Sequence, residues 1–453
     1  MTFPTHDDRP GATAPTTAAA PGDTRRARRR ALGGGVGGYF VDQFDIYVPV
    51  IALAPAMSYF VPRDLDASTR VIVAAFIFTA TLLGRPIGAV IFGLLADRTG
   101  RRRSTIIAVA GIAVTTLLIA LLPGHGAVGL WAVGLLIALR FLDGVFLGGE
   151  YTAAIPLAME WARKDRRGLA SGLITMTSPL ALCVISLLTL GLLQIAPAGA
   201  PDSAYSTWGW RVPFVVGALL AVAMLVYFVR YVPESEGRAE QAAAQHVSPL
   251  RELFAGAHRR SLLQVFVLMT GIWTVLNVTV SVLPGLTSSA AGFSATQVTV
   301  VLAVGSLISA VTYPLAGMLS QVIGRRWFYV ATGVLVVVAS GGTVAVIGTA
   351  TGLGGGSAAV LLCVAFVVGF IAFGPIAAYL TERFPGPMRA SGYGIGYSLA
   401  LVLPAFFAYY LLWLASLVGT ALAPAALVVI GGVLIAVGAL LGPETRDADM
   451  TAA

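Results

Sequence analysis

Six ionisable side chains lie inside long apolar stretches of this sequence, and they are the residues best placed to do chemistry: Asp42, Asp45, Arg85, Arg140, Asp143 and Glu150. A charge at the centre of a bilayer costs from about 2.5 to more than 10 kcal/mol, so such groups normally have partners and functions. Asp42 and Asp45 are three residues apart and share one face of a helix. Two carboxylates that close cannot both stay ionised away from water unless a cation intervenes. Proton chemistry is therefore expected in the first half of the chain, because the second half has no comparable charge inside an apolar stretch.

The composition predicts an all-α membrane protein. Hydrophobic residues make up 57% of the chain and charged residues only 11%, whereas soluble domains carry about 25% charged residues. The apolar runs are long enough to cross a hydrocarbon core of about 30 Å as helices. Both cysteines lie in such runs, which indicates neither a metal site nor a disulfide framework.

No sequence feature points to an enzyme. There is no phosphate-binding GxxxxGK[ST] loop, nucleophile motif, metal cluster or cofactor motif. We expect no cofactor, and we expect an ion gradient, here of protons, to supply the energy. The net charge of +8 comes largely from arginines in short loops and in the N-terminal tail, so it indicates membrane orientation rather than binding to nucleic acid.

The hydropathy pattern predicts twelve spans, at residues 33–58, 70–95, 104–122, 128–158, 168–194, 211–231, 261–286, 296–322, 327–349, 357–381, 389–415 and 420–441. Lysine and arginine concentrate in alternate connections, which predicts that both termini are cytoplasmic. The protein is therefore expected to be a multi-pass protein of the cell membrane, of the bacterial inner-membrane type.

A repeated basic turn indicates that the chain is a duplicated six-helix unit. The stretch GLLADRTGRRR begins at Gly93, and Gly317, Gly324, Arg325 and Arg326 each follow Gly93, Gly100, Arg101 and Arg102 by 224 positions. The pair Glu160 and Arg167 returns 222 positions later as Glu382 and Arg389. The predicted divisions are a disordered basic cytoplasmic tail (1–30), an N-terminal six-helix bundle (31–231), a partly helical cytoplasmic linker (232–260), a C-terminal six-helix bundle (261–441) and a C-terminal tail (442–453).

Several motifs in the same order and spacing resemble the major facilitator superfamily over the whole chain. They are the basic turn after the second span, LGRPIGAVIFG, RFLDGVFLGGEY, WGWRVPF and VPES. Within that superfamily the pattern is similar to the metabolite:proton symporters, close to the sugar porters. Pro49 in VDQFDIYVPV departs from the aromatic-rich stretch usual in this branch. The glycine-proline signature of drug antiporters is missing beside Pro179.

The resemblance implies a coupling mechanism. In the sugar-porter pattern, an aspartate that matches Asp45 faces an arginine that matches Arg140, and protonation of the acid releases the pair so that the two halves rock. Asp42 is assigned to the same proton-coupling group. The alternative is a fixed ion pair that only locks the first and fourth helices together.

Arg85 offers a planar fork to a carboxylate, and the resemblance places symporters of dicarboxylates, aromatic acids and zwitterionic osmolytes in this branch. Arg85 is therefore a candidate substrate anchor, with an ion pair to Asp42 or Asp143 as the alternative. The helices that line the cavity in this superfamily carry the other candidate substrate contacts, each of which has packing as an alternative role: Tyr39, Tyr47, Trp273, Asn277, Tyr379 and Tyr397.

A cytoplasmic gate is expected from the basic turns and the acidic residues near them. Glu150 is included because it follows Arg140 by about 15 Å along one helix axis, too far for a direct pair. The alternative is that the arginines only enforce orientation. The gate candidates are Gly93, Asp97, Arg98, Gly100, Arg101, Arg102, Glu150, Glu160, Arg167, Glu382 and Arg389.

These features together predict a transporter that imports a small organic acid or zwitterion with protons by alternating access. Its expected partners are the substrate, protons and lipid, and a monomer suffices. A proton-coupled efflux antiporter and a non-transporting membrane sensor are the alternatives. The identity of the substrate lies beyond what the motifs indicate.

Overall fold

The protein folds into two bundles of apolar helices, shown by a computed structural model that describes residues 21–62, 67–233, 249–350 and 352–450. The first bundle contains α1 (Pro21–Ile51), α2 (Ala67–Thr99), α3 (Arg101–Ala120), α4 (Trp131–Trp161), α5 (Lys164–Ile195) and α6 (Tyr205–Tyr231). The second contains α7 (Arg259–Ala291), α8 (Ala295–Ile323), α9 (Arg325–Thr349), α10 (Gly355–Glu382), α11 (Gly386–Ala405 with Phe407–Val418) and α12 (Ala423–Leu440).

Eleven helices of the described ranges are long and apolar enough to cross a membrane, and α11 makes a twelfth if its two halves, which meet at 48°, form one span. The predicted all-α membrane fold is confirmed. Large apolar side chains such as Leu121, Val322 and Leu412 are more than half exposed, as expected for helix faces in contact with lipid.

Glycine faces bring α2 and α4 into close contact. A Cβ atom on Gly88 would meet the backbone carbonyl of Val145, and one on Gly148 would meet the carbonyl of Arg85. Small residues at such a crossing let two membrane helices approach to backbone contact. The crossing therefore places the Arg85 side chain beside the polar residues of α1 and α4.

The duplication is visible in the backbone. Gly100 and Gly324, 224 positions apart, separate α2 from α3 and α8 from α9, with φ angles of +99° and +97°. Glycine adopts positive φ without the steric cost that a side chain brings. The repeated basic turn of the sequence is thus a repeated tight connection between two helices. We call the end of the bundles that carries these two connections the basic face.

The structure adds detail to three of the predicted divisions: the N-terminal tail, the linker and the C-terminal tail. Helix α1 begins at Pro21, so residues 21–30 are helical instead of belonging to a disordered tail, and residues 1–20 lie outside the described ranges. The linker contributes a short helix at Pro249–Phe254, while 234–248 lie outside the description. After α12, residues 442–450 pack along the basic face, where Thr445 and Met450 are buried.

Candidate functional site

An ion pair between α1 and α2 lies at the centre of the first bundle. Nη2 of Arg85 donates to both carboxylate oxygens of Asp42, at 2.9 and 3.0 Å, and both side chains are buried. Gln43 Nε2 donates a further hydrogen bond of 2.8 Å to Asp42. Among the described residues, Nε of Arg85 has no hydrogen-bond partner. Of the alternatives for Arg85, the structure shows the pair with Asp42 and not one with Asp143.

A second buried cluster surrounds Arg140. Its Nη1 donates to Asp45 at 3.1 Å and to Asp143 at 2.9 Å. Thr116 donates to Asp45 at 2.7 Å, and Thr115 donates to Asp143 at 2.8 Å. The pairing of Asp45 with Arg140 agrees with the resemblance, whereas the part played by Asp143 was not expected. Asp42 and Asp45 share a helix face, but each pairs with a different arginine.

A cavity of about 240 Å³ lies between the bundles, in the half of the molecule away from the basic face. Ala54 and Ser281 in its wall are exposed, so it opens on the opposite side. Asp45 and Arg140 are not among its lining residues. The polar side chains that border it, four of them candidates from the sequence, are Gln43, Tyr47, Arg85, Trp273, Asn277 and Ser281.

An aromatic cluster separates the cavity from the basic face. The Tyr151 and Tyr397 rings are 3.9 Å apart between centroids, and Trp273 packs edge-on against Tyr397 at 4.9 Å. Tyr393 donates a 2.6 Å hydrogen bond to Tyr151 across the two bundles. Tyr39 lies against Tyr151, so Tyr39 and Tyr397 belong to this cluster and do not line the cavity. The sequence did not single out Tyr151 and Tyr393.

Two candidates lie elsewhere than expected. The Tyr379 hydroxyl accepts a hydrogen bond of 2.9 Å from Gln264, and its ring packs on Tyr329, away from the cavity. Glu150 is buried against Gly38 of α1, and neither of its oxygens has a hydrogen-bond partner in the described part of the chain. Its distance from Arg140 along α4 placed it towards the basic face, but the rotation of α4 turns it inward to α1. Glu150 is not part of the gate.

One half of the gate joins α2 and α4 to α11. Asp97 accepts hydrogen bonds from the Ser391 backbone at 3.0 Å, the Ser391 hydroxyl at 2.6 Å and the Ala390 backbone at 3.3 Å. Glu160 pairs with Arg389 at 2.8 Å and with Arg101. Gly93 packs against the backbone of Ser391. The basic face is therefore closed in this structure by contacts between the bundles.

The other half of the gate repeats this arrangement around α8, α10 and α5. Arg325 pairs with Glu382 at 3.2 Å, and Gln321 accepts a hydrogen bond from the Gly168 backbone at 3.2 Å. Gln321 stands 224 positions after Asp97, so an amide replaces the carboxylate in this half. Arg325 was not among the gate candidates, but the repeat could have identified it, because Arg325 follows Arg101 by the same 224 positions.

The C-terminal tail joins both halves, which the sequence did not indicate. Arg167 donates to the Ala448 carbonyl at 2.7 Å, and Arg389 donates to the Met450 carbonyl at 3.3 Å. The Thr445 hydroxyl donates to Glu382 at 2.8 Å. Arg167 and Arg389 come from different bundles, so the tail spans the closed interface.

Two other arginines of the basic turn differ from Arg101 in the contacts that the structure shows. Arg98 is exposed and makes no hydrogen bond or ion pair with a described residue. Arg102 donates to the carbonyls of Phe228 and Val229, at 3.3 and 2.6 Å, at the end of α6 in its own bundle. The structure therefore brings Asp97, Arg101 and their partners together between the bundles, and the gating role of these residues stays a prediction.

Two bundles of apolar helices, with a cavity between them that is closed at one end, are the architecture of a membrane transporter. Comparison with known proteins supports this class. The Major Facilitator Superfamily model matches residues 35–409, and this chain belongs to that family. It is 29% identical to the alpha-ketoglutarate permease of Escherichia coli over 83% of this chain and 85% of that protein. It is 30% identical to the shikimate transporter of the same organism, with the same shares covered.

The citrate-proton symporter of Klebsiella pneumoniae is 27% identical over 80% of each chain. Among solved structures, the proton:xylose symporter XylE matches with a TM-score of 0.71 at 20% identity, over 94% of this chain and 97% of that one. That likeness shows the fold. The protein is a multi-pass membrane transporter and not an enzyme.

Proposed function

We propose that this transporter imports a small organic acid or zwitterion together with protons, by alternating access. The observation that carries the proposal is the buried ion pair of Arg85 and Asp42, in which Arg85 also forms part of the cavity wall. A guanidinium at that position binds a carboxylate with charge-assisted hydrogen bonds. The relatives support the class, since their names specify the acids alpha-ketoglutarate, shikimate and citrate, and the name of the citrate relative also specifies the proton.

Competition for Arg85 couples the substrate to the proton. While Asp42 is ionised, it holds Nη2 of Arg85. A proton on Asp42 removes the charge that holds Arg85, so the guanidinium becomes available to a substrate carboxylate. A proton and an acid therefore bind better together than either does alone, which is the thermodynamic requirement for symport.

Asp45 is the second proton-coupling candidate. Arg140 is shared by Asp45 and Asp143 through a single nitrogen. Protonation of Asp45 weakens its hold on Arg140 and leaves Asp143 as the remaining partner. We propose that this exchange loosens α1 from α4 when the two bundles rock.

Import follows from the orientation that the basic loops predict. If the basic face is cytoplasmic, the cavity opens to the outside while the gate is closed. The resting arrangement then takes up protons and substrate from outside. The proton gradient supplies the energy, no cofactor takes part, and a monomer suffices.

Proton flux in liposomes tests the proposal. The purified protein would be reconstituted with a neutral lumen, a pH dye inside and acid outside, and then challenged with carboxylates, betaines and sugars. We expect one compound to acidify the lumen, with coupling lost in Asp42→Asn and Asp45→Asn while substrate exchange continues. Asp165→Asn, at an exposed loop position, is the matched control.

Three results would contradict the proposal. Symport fails if no compound moves protons in the unchanged protein, or if both aspartate variants couple normally. Import fails if substrate leaves the lumen against its gradient when protons enter, which is the behaviour of an efflux antiporter.

A further inference from the structure

We propose that the substrate of the cavity carries one carboxylate on a compact and otherwise uncharged, largely apolar body. The inference rests on the proposed function, because it assumes that an acid binds at Arg85. It narrows the substrate class from organic acids in general to monocarboxylates. Di- and tricarboxylates are excluded by the charges of the site, as follows.

Arg85 is the one cation among the described residues that line the cavity. Arg140 lies outside the lining and already bridges two carboxylates. Arg211 is held at the start of α6 by the Tyr59 hydroxyl and the Leu122 carbonyl, each at 3.0 Å. Arg70 lies fifteen residues before Arg85 on α2, about 22 Å away along the helix axis. Among the described residues, the site therefore offers one positive charge to a small molecule.

Arg85 has room for one carboxylate. Asp42 occupies Nη2, and Nε has no hydrogen-bond partner in the described chain. A carboxylate that enters beside or in place of Asp42 therefore finds donors on the guanidinium. Once it is bound, the described lining residues hold no second cation for another negative charge.

Four of the five neutral polar side chains that border the cavity, all except Ser281, already make hydrogen bonds within the protein. Gln43 donates to Asp42 and accepts from Ser178 at 2.7 Å, and Tyr47 shares a 3.1 Å hydrogen bond with Ser178. Trp273 Nε1 donates to the Tyr397 carbonyl at 3.1 Å. These groups have few donors left to solvate an anion.

Most of the remaining wall is apolar, as shown by Ile46, Leu82, Leu276, Val280 and Phe373. At about 240 Å³, the cavity is smaller than the 300–1,000 Å³ typical of pockets for drug-sized ligands. A second ionised carboxylate that enters the cavity would lie against these side chains, with no further cation among the described lining residues to pair with it. A buried and unpaired charge is strongly disfavoured, so we expect a dicarboxylate to bind about 100-fold more weakly than its monocarboxylate counterpart.

The test uses pairs of acids that share a carbon skeleton: pentanoate and glutarate, cyclohexanecarboxylate and its trans-1,4-dicarboxylate, benzoate and terephthalate. Binding of each acid to the purified protein would be measured by the ligand-induced shift in melting temperature. The pH would be 7.5, at which every carboxylate of the added acids is ionised. We expect at least one monocarboxylate to bind and its partner to be at least tenfold weaker. The inference is overturned if no monocarboxylate of the panel binds, or if any dicarboxylate comes within tenfold of its partner.

Variants identify the site. The double variant Asp42→Asn/Arg85→Gln removes both charges of the pair without leaving either one uncompensated, and it should abolish binding of the monocarboxylate. Asn277→Lys places a second cation in the cavity wall, so it should reduce the difference in affinity between a monocarboxylate and its dicarboxylate partner. If the double variant binds the acid as well as the unchanged protein does, the acid does not bind at Arg85 and the inference is wrong.

Liposomes separate this inference from the proposed function. Each acid would be added under the proton gradient, and protein-free liposomes give the passive leak of the undissociated acid. If a dicarboxylate moves with protons as efficiently as its partner, symport stands and the monocarboxylate inference fails. If neither member of any pair moves protons, the proposed function itself fails for organic acids.

Discussion

Asp97→Asn should open the basic face. Asp97 lies on α2 of the first bundle, and all three hydrogen bonds that it accepts come from Ser391 and Ala390 of α11 in the second. The substitution removes the negative charge and replaces one oxygen with an amide nitrogen, which faces donors instead of accepting from them. Because these contacts exist only while the bundles are closed at this end, their loss favours the opposite conformation.

The magnitude follows from the number and type of the bonds. Hydrogen bonds to a charged group contribute about 1.5–3 kcal/mol each, and neutral ones about 1 kcal/mol. With each charged bond taken at about 1.5–2 kcal/mol, the loss of one bond and the change of the other two to neutral bonds should cost the closed state about 2.5–4 kcal/mol relative to the open state. At about 1.4 kcal/mol per factor of ten, the ratio of open to closed molecules rises between about sixtyfold and several hundredfold. An open state populated at about 1% would become comparable to the closed state or exceed it.

Cysteine labelling measures this ratio. Ser281 is an exposed residue of the cavity wall, so Ser281→Cys, in a background with Cys183→Ser and Cys363→Ser, reports the accessibility of the cavity to a membrane-impermeant maleimide. Asp97→Asn should slow this labelling, because the cavity closes on its own side when the basic face opens. Arg98→Gln, at an exposed neighbour without hydrogen bonds to described residues, is the matched control.

One result would refute the reasoning. If Asp97→Asn is well folded by melting temperature and the cysteine introduced by Ser281→Cys is labelled at the rate of the control, the hydrogen bonds to α11 do not hold the basic face closed. The gate would then have to depend on its other contacts, such as the Glu160 cluster and the hydrogen bond from Gly168 to Gln321.

Four further substitutions test the packing. Glu150→Gln should shift the free energy of unfolding by less than about 1 kcal/mol, because the carboxyl has no hydrogen-bond partner among the described residues to lose. Glu160 pairs with two arginines, so Glu160→Gln should lower the free energy of unfolding by more. Equal melting temperatures of the two variants would contradict this difference. Gly88→Val should prevent folding, because its side chain meets a backbone carbonyl of α4; a monodisperse gel-filtration peak would disprove it. Tyr393→Phe removes the hydrogen bond to Tyr151 across the bundles and should destabilise the closed state by about 1 kcal/mol. The ratio of open to closed molecules then rises roughly fivefold, which slows labelling at Ser281→Cys when measured in the Asp97→Asn background; an unchanged rate there would count against the barrier.

Composition and repetition were enough to predict the architecture. Charge is so costly in hydrocarbon that long runs without it mark the spans, and the basic turns that interrupt them mark one face of the protein. The interval of 224 residues between Gly100 and Gly324 indicated two similar units, and the matching positive φ angles show the repeat in the backbone. The same interval related Arg101 to Arg325, both of which form ion pairs with glutamates of the gate.

Tertiary structure alone decided which charges meet. Spacing along a helix indicates how far apart two residues lie and which face they share, but it does not indicate which neighbouring helix that face contacts. The contact depends on how the helices cross and rotate, which the glycines of α2 and α4 determine through backbone packing. Packing between helices pairs Asp42 with Arg85, brings Asp45 to Arg140 and turns Glu150 towards α1.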